Sequence, residues 1–197
     1  MAHDALAFLD ALGLTEIDIL GFSIGGFVAQ ELTLIRPQLV RRLVLAATGP
    51  GRRADARLDR DVFAHATRDE PGAENLLALF FERSETSVAK GREFVQRIFA
   101  RIGDRDVDTT LKTRDAQLDA YTAWGIPDSS KLNRLAGIRQ PALVANGDNH
   151  RMIPTKNSHL LADRLPDAQL KVYRDAGHGF LFQYPAEFAE EVEAFLA

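Results

Sequence analysis

The chain has 197 residues, 46% hydrophobic and 26% charged, with 24 Lys and Arg against 28 Asp and Glu and a formal net charge of −4. That length supports one sizeable core, and the acidic balance argues against a nucleic-acid partner, because nucleic-acid binders carry a basic face. The absence of cysteine excludes disulfides and thiolate metal sites. The start lacks a signal peptide's pattern and no stretch reaches the ~18 apolar residues of a membrane span, so a cytoplasmic protein without membrane contact is expected.

Ala5, Leu6, Leu9 and Leu12 fall three or four apart, which predicts a helix over residues 2–12, and Gly13 suits its end. Residues 17–20 read as a short strand, and residues 24–36 as a helix closed by Pro37. Residues 42–47 form an almost continuously apolar run, the mark of a parallel strand covered on both faces. Helix, strand, helix, strand in this order is α/β architecture.

Residues 51–130 differ in kind. They are rich in Arg and Asp, and apolar pairs such as Leu76 and Leu77, Phe80 and Phe81, Phe94 and Ile98 recur at helical spacing. A mostly helical insertion is expected there. The strand–helix rhythm then resumes, with strands at 141–145 and 169–173 and helices at 155–165 and 185–196. The predicted organisation is an α/β core of residues 1–50 and 131–197, interrupted by a helical cap of residues 51–130.

The segment Gly21-Phe22-Ser23-Ile24-Gly25 sits between a predicted strand and a predicted helix and fits the G-x-S-x-G nucleophile elbow. Such a turn presents the serine hydroxyl clear of the sheet, with small residues at Gly21 and Gly25 letting it close. The N–H of Ile24, at the helix N-terminus, can then donate to a developing oxyanion. A phosphate loop would need Gly-Lys-Ser/Thr, and a dinucleotide fingerprint would need glycine where Ser23 stands; neither is present. On this motif alone, an incidental serine in an ordinary strand–turn–helix stays open.

Asp175-Ala176-Gly177-His178-Gly179 follows the last predicted strand. A histidine in a glycine-flanked loop at a strand end suits a general base, and its position after Ser23 in the chain follows the order of such hydrolases. Phe63, Phe80, Phe81 and Trp124 of the insertion suggest a partly apolar substrate, although aromatic residues more often serve as packing.

The elbow, Arg36-Pro37, the strand RRLVLAATGP, PALVANGDNHRMIP and DAGHG before a C-terminal helix together resemble α/β-hydrolase-fold proteins of the esterase, haloperoxidase and C–C hydrolase type. The resemblance covers essentially the whole chain. It implies a mostly parallel sheet with helices on both faces and Ser23 as nucleophile. It further implies His178 as base, Ile24 as a backbone oxyanion donor and a small acyl substrate, with neither cofactor nor metal.

Two departures stand out. The family's acid position, three residues after Gly147 and four before Pro154, holds His150, which carries no anion; Asp148 is the nearby substitute. Family members also carry four strands and a helix ahead of this start, including the loop that supplies the second oxyanion donor. The expectation is therefore a truncated form or a fragment, with the elbow strand on an exposed edge where a second copy or a partner chain pairs. Two functions compete on these grounds: a serine hydrolase, and a catalytically impaired remnant that binds or assembles. A metal site of His150, His178 and Asp148 has no ligand-spacing motif behind it.

Overall fold

The structure is a computed structural model describing residues 1–51, 60–66, 68, 72–126 and 128–197, with backbone only for residues 63 and 129. Helix α1 (Ala2–Ala11) leads into strand β1 (Ile17–Phe22), helix α2 (Ile24–Ile35), a 3₁₀ turn (Pro37–Leu39) and strand β2 (Val40–Ala46). Helices α3 (Arg60–Ala66), α4 (Ala73–Phe80), α5 (Glu85–Ala100), α6 (Leu111–Trp124) and α7 (Ser129–Arg134) follow. The chain then alternates through β3 (Ala142–Gly147), α8 (Lys156–Arg164) and β4 (Ala168–Tyr173), and closes with α9 (Phe180–Gln183) and α10 (Pro185–Leu196). Residues 52–59, 67, 69–71 and 127 of the expected helical insertion, and the side chain of Phe63, lie outside the described residues.

All strand pairs are parallel, in the order β1-β2-β3-β4. Successive side chains of β2 and β3 point to opposite faces of the sheet. Leu43, Leu45, Ala142 and Val144 enter one core with Leu6, Leu32 and Leu161 from α1, α2 and α8. Val44, Ala46, Leu143 and Ala145 enter the other, with Phe180 from α9 and Phe188 and Phe195 from α10. Both faces are covered, which is why these strands read as unbroken apolar runs. β1 forms one edge, where Leu20 is 48% exposed.

Register sets the site. Phe22 pairs with Ala46, Ala46 is the partner of Ala145, and Gly147 pairs with Tyr173. The four strands therefore end at one level, and the loops carrying Ser23, His150 and His178 leave from the same edge of the sheet. Open α/β sheets bind their ligands outside these carboxyl ends.

Candidate active site

Ser23 caps α2 directly after β1, with φ 56° and ψ −121°. A non-glycine residue at positive φ costs about 1–3 kcal/mol and persists only where its surroundings hold it. Here its N–H donates to Ala46 O, and its own carbonyl accepts from Gly26 N, both at 2.9 Å.

The glycine requirement differs from the motif reading. A Cβ at Gly21 would stand 2.6 Å from Gly25 O, and one at Gly26 would stand 2.5 Å from the Thr48 side chain. At Gly25 a Cβ would meet nothing within 4 Å. Close packing of helix on sheet thus falls on Gly21 and Gly26, and the expectation for Gly25 is corrected. Ile24 is the first residue of α2, so its N–H has no acceptor within the helix.

His178 stands in the loop between β4 and α9, only 2% exposed. Its ring lies 4.7 Å, centroid to centroid, from Phe22 and 4.9 Å from Phe80. Among the described residues no hydrogen bond joins Ser23 to His178; Phe22, the residue before the serine, brings the two together. Serine–base contacts often tighten only when substrate is bound. Of the aromatics singled out in the sequence, Phe80 lies against the histidine, Phe81 packs on Phe94, and Trp124 stacks on Phe27 of α2 at 4.1 Å.

The Nδ1 of His178 lies 2.8 Å from the Nε2 of His150, and the Nδ1 of His150 lies 2.7 Å from Asn146 Oδ1. Asp148 does not take the acid position. It is exposed, and its Oδ1 accepts from Ala176 N at 3.2 Å, which shapes the histidine loop instead. Three residues after Gly147, the buried His150 meets His178, while Asp148 is exposed.

Burial lowers His178 from 6.5 to about 3. Burial and the adjacent His178 together push His150 well below the ordinary imidazole value. Both rings are neutral at pH 7. Nearby, burial raises the Glu82 carboxyl, with Asp148 and Asp175 adding to the rise and Arg151 opposing it.

The histidine loop and α9 are latched to the end of α4 and the start of α5. Gly179 N donates to Phe80 O at 2.6 Å, and Ser84 Oγ donates to Asp175 Oδ2 at 2.7 Å. Ser87 Oγ donates to Gln183 Oε1 at 2.7 Å while accepting from Glu82 N at 2.8 Å, and Gln183 Nε2 donates to Asp175 O at 2.8 Å. Sequence reasoning missed Asn146, Phe22 and Ser87 as members of this assembly. Asn146 alone left a signal, as a polar residue inside the apolar run of β3.

The family model of the alpha/beta hydrolase fold matches residues 1–185. A 2-hydroxymuconate semialdehyde hydrolase from Pseudomonas putida is 30% identical over 98% of this chain and 66% of its own length. A poly(3-hydroxyalkanoate) depolymerase from Ectopseudomonas oleovorans is 29% identical over 95% and 63%. The chain thus spans about two thirds of the length of the curated relatives it matches. An alpha/beta hydrolase fold protein from Chitinophaga pinensis superposes with a TM-score of 0.89 at 38% identity, over 99% of this chain and 70% of that one. With its parallel sheet, its strained serine turn and its histidine loop, the chain belongs to the alpha/beta hydrolase fold family.

Proposed function

We propose that this protein is a serine hydrolase that cleaves an ester or related acyl bond through a Ser23 acyl-enzyme, with His178 as the base. The observation that carries this reading is Ser23 held at φ 56° on the N-terminus of α2, with the buried neutral imidazole of His178 packed at a tilt against Phe22, the residue before it. Ser23 Oγ attacks the acyl carbon and its proton passes to His178. The tetrahedral oxyanion is met by the Ile24 N–H. His178 then returns the proton to the departing alcohol, and water releases the acyl group in a second round. Ile24, Phe27, Val28, Tyr121 and Trp124, with Glu31, line a mostly apolar cavity that reaches the elbow at Ile24, which suits an apolar acyl or alcohol portion. The serine, rather than aspartate, at the elbow favours acyl transfer over other displacements on this fold. The helices between β2 and β3 would act as the cap over this site. No helix among the described residues is long and apolar enough to cross a membrane.

One observation favours a second reading, an impaired hydrolase that serves as a binding or assembly module: the base is partnered by a neutral imidazole where an anion would stabilise its charged form. Removing the function of the acid in a serine triad costs on the order of 10⁴-fold in kcat.

Intact mass after incubation with a fluorophosphonate separates the two. The hydrolase reading expects one adduct on the wild-type chain and none on Ser23→Ala. A folded wild-type protein that takes no adduct favours the binding module.

A further inference from the structure

We propose that Asn146 and His150 form a neutral positioning relay that fixes His178 in the tautomer able to deprotonate Ser23. The inference deepens the hydrolase reading and rests on it for the roles of Ser23 and His178.

The backbone N–H of Gly147 donates to Asn146 Oδ1 at 2.9 Å, and a backbone amide can only donate. The atom of Asn146 facing it is therefore the oxygen. At the other end of the amide, Asn146 Nδ2 donates to Ser158 Oγ at 2.8 Å, a hydroxyl that accommodates this orientation. The same Oδ1 stands 2.7 Å from His150 Nδ1, so that nitrogen must carry a proton. A neutral imidazole has one N–H, which leaves His150 Nε2 as a bare acceptor. It faces His178 Nδ1 at 2.8 Å, so the proton of His178 sits on Nδ1. The Nε2 of His178 is then the unprotonated nitrogen, the one left for Ser23.

Neutrality of both rings follows from where they sit. Asn146 and Ser158 are fully buried, and His150 and His178 are 3% and 2% exposed. Burial lowers both imidazoles, consistent with one proton per ring. During attack the Ser23 proton moves to His178 Nε2 and the Nδ1 proton stays in place, donating to His150. The cation that forms rests on His178, and its counter-charge is the oxyanion on the acyl group. The relay supplies orientation and tautomer without supplying an anion. That is the part of the triad acid's work a histidine can do; losing the tautomer and the anion together costs a serine triad about 10⁴-fold.

The test is a long-range proton–nitrogen correlation spectrum of the full chain labelled with ¹⁵N-histidine at pH 7, alongside the rate of Ser23 modification by a fluorophosphonate. The relay expects protonated Nδ1 and bare Nε2 on both His150 and His178. Asn146→Leu, which removes the acceptor, should give mixed tautomers at His178 and slow modification at least about 10-fold, within the ceiling of about 10⁴-fold set by loss of a triad acid. Ser158→Ala, which leaves Gly147 N–H and Oδ1 in place, should keep the wild-type tautomer. An Nε2–H or exchanging His178 in the wild-type chain overturns the relay, and the wild-type spectrum decides this even if Asn146→Leu does not fold. Modified Ser23 with a reversed His178 sinks the relay and leaves the hydrolase reading intact. Unmodified Ser23 with the expected tautomers supports the relay's geometry and sinks the hydrolase reading.

Discussion

His178 and His150 meet ring to ring, Nδ1 to Nε2 at 2.8 Å, where the hydrolase pattern calls for an imidazole and a carboxylate. Orientation and charge, which one acid normally supplies together, are separated here. The neutral partner can hold His178 in place, but it offers no field to stabilise the imidazolium that the proposed mechanism would form.

Restoring the anion should therefore raise turnover. His150→Asp is expected to increase kcat/KM for a chromogenic ester at least about 10-fold, against the ~10⁴-fold a triad acid can contribute. The pH profile should move in a definite direction. A carboxylate beside His178 raises its pKa from about 3, so the acid limb of activity should shift to higher pH. An unchanged rate and an unchanged acid limb would count against His178 as the base.

The same burial makes the fold sensitive to acid. His178 falls from 6.5 in the unfolded chain to about 3 in the folded one, and His150 is lowered as well. Between those values the unfolded chain binds more protons, so stability is full above pH 6.5 and is lost as pH falls towards 3. Each buried histidine adds a slope of up to about 1.4 kcal/mol per pH unit in that window. Glu82, Asp148 and Asp175 flank the loop and are unchanged between wild type and variant, so the comparison isolates the imidazole. Urea unfolding at pH 6 and pH 5 should therefore show a loss for wild type that exceeds that of His178→Gln by about this amount. Equal losses would mean the imidazole is charged in the folded state.

Three glycines, Gly25 and Gly26 at the start of α2 and Gly147 at the end of β3, should part company. A Cβ at Gly147 would stand 2.0 Å from Ala176 O, a backbone atom with little room to move. Gly147→Ala is expected to destabilise by about 1–3 kcal/mol or more through overpacking. Gly26→Ala should behave similarly against Thr48. Gly25→Ala, in open space within α2, should be neutral or stabilising by up to about 1 kcal/mol. Thermal melts rank the three, and a large loss for Gly25→Ala would overturn the assignment.

Ser87 tests the latch that ties the histidine loop and α9 to the end of α4 and the start of α5. It is fully buried and serves both Glu82 N and Gln183 Oε1. Ser87→Ala leaves both without their partner and should cost about 1–3 kcal/mol. For a chain of this size that corresponds to a fall in Tm of roughly 2–4 °C per kcal/mol. Ser84→Ala, at a half-buried position, should cost less.

Much of the molecule was legible in the sequence, because the relevant signals are local. The apolar runs of β2 and β3, the helical spacings of α1, α2 and α10, the strand–serine–helix elbow and the glycine-flanked His178 each depend on a few consecutive residues obeying period and turn rules. What only the tertiary structure decided is which groups meet. Parallel register sets Gly147 beside Tyr173, which folds the loops after β3 and β4 onto each other and pairs His178 with His150 rather than Asp148. Close approach of α2 to Thr48, just past the end of β2, moves the glycine constraint from Gly25 to Gly26. Neither follows from local pattern, because each depends on atoms more than twenty residues apart in the chain and on the space left once the sheet has packed.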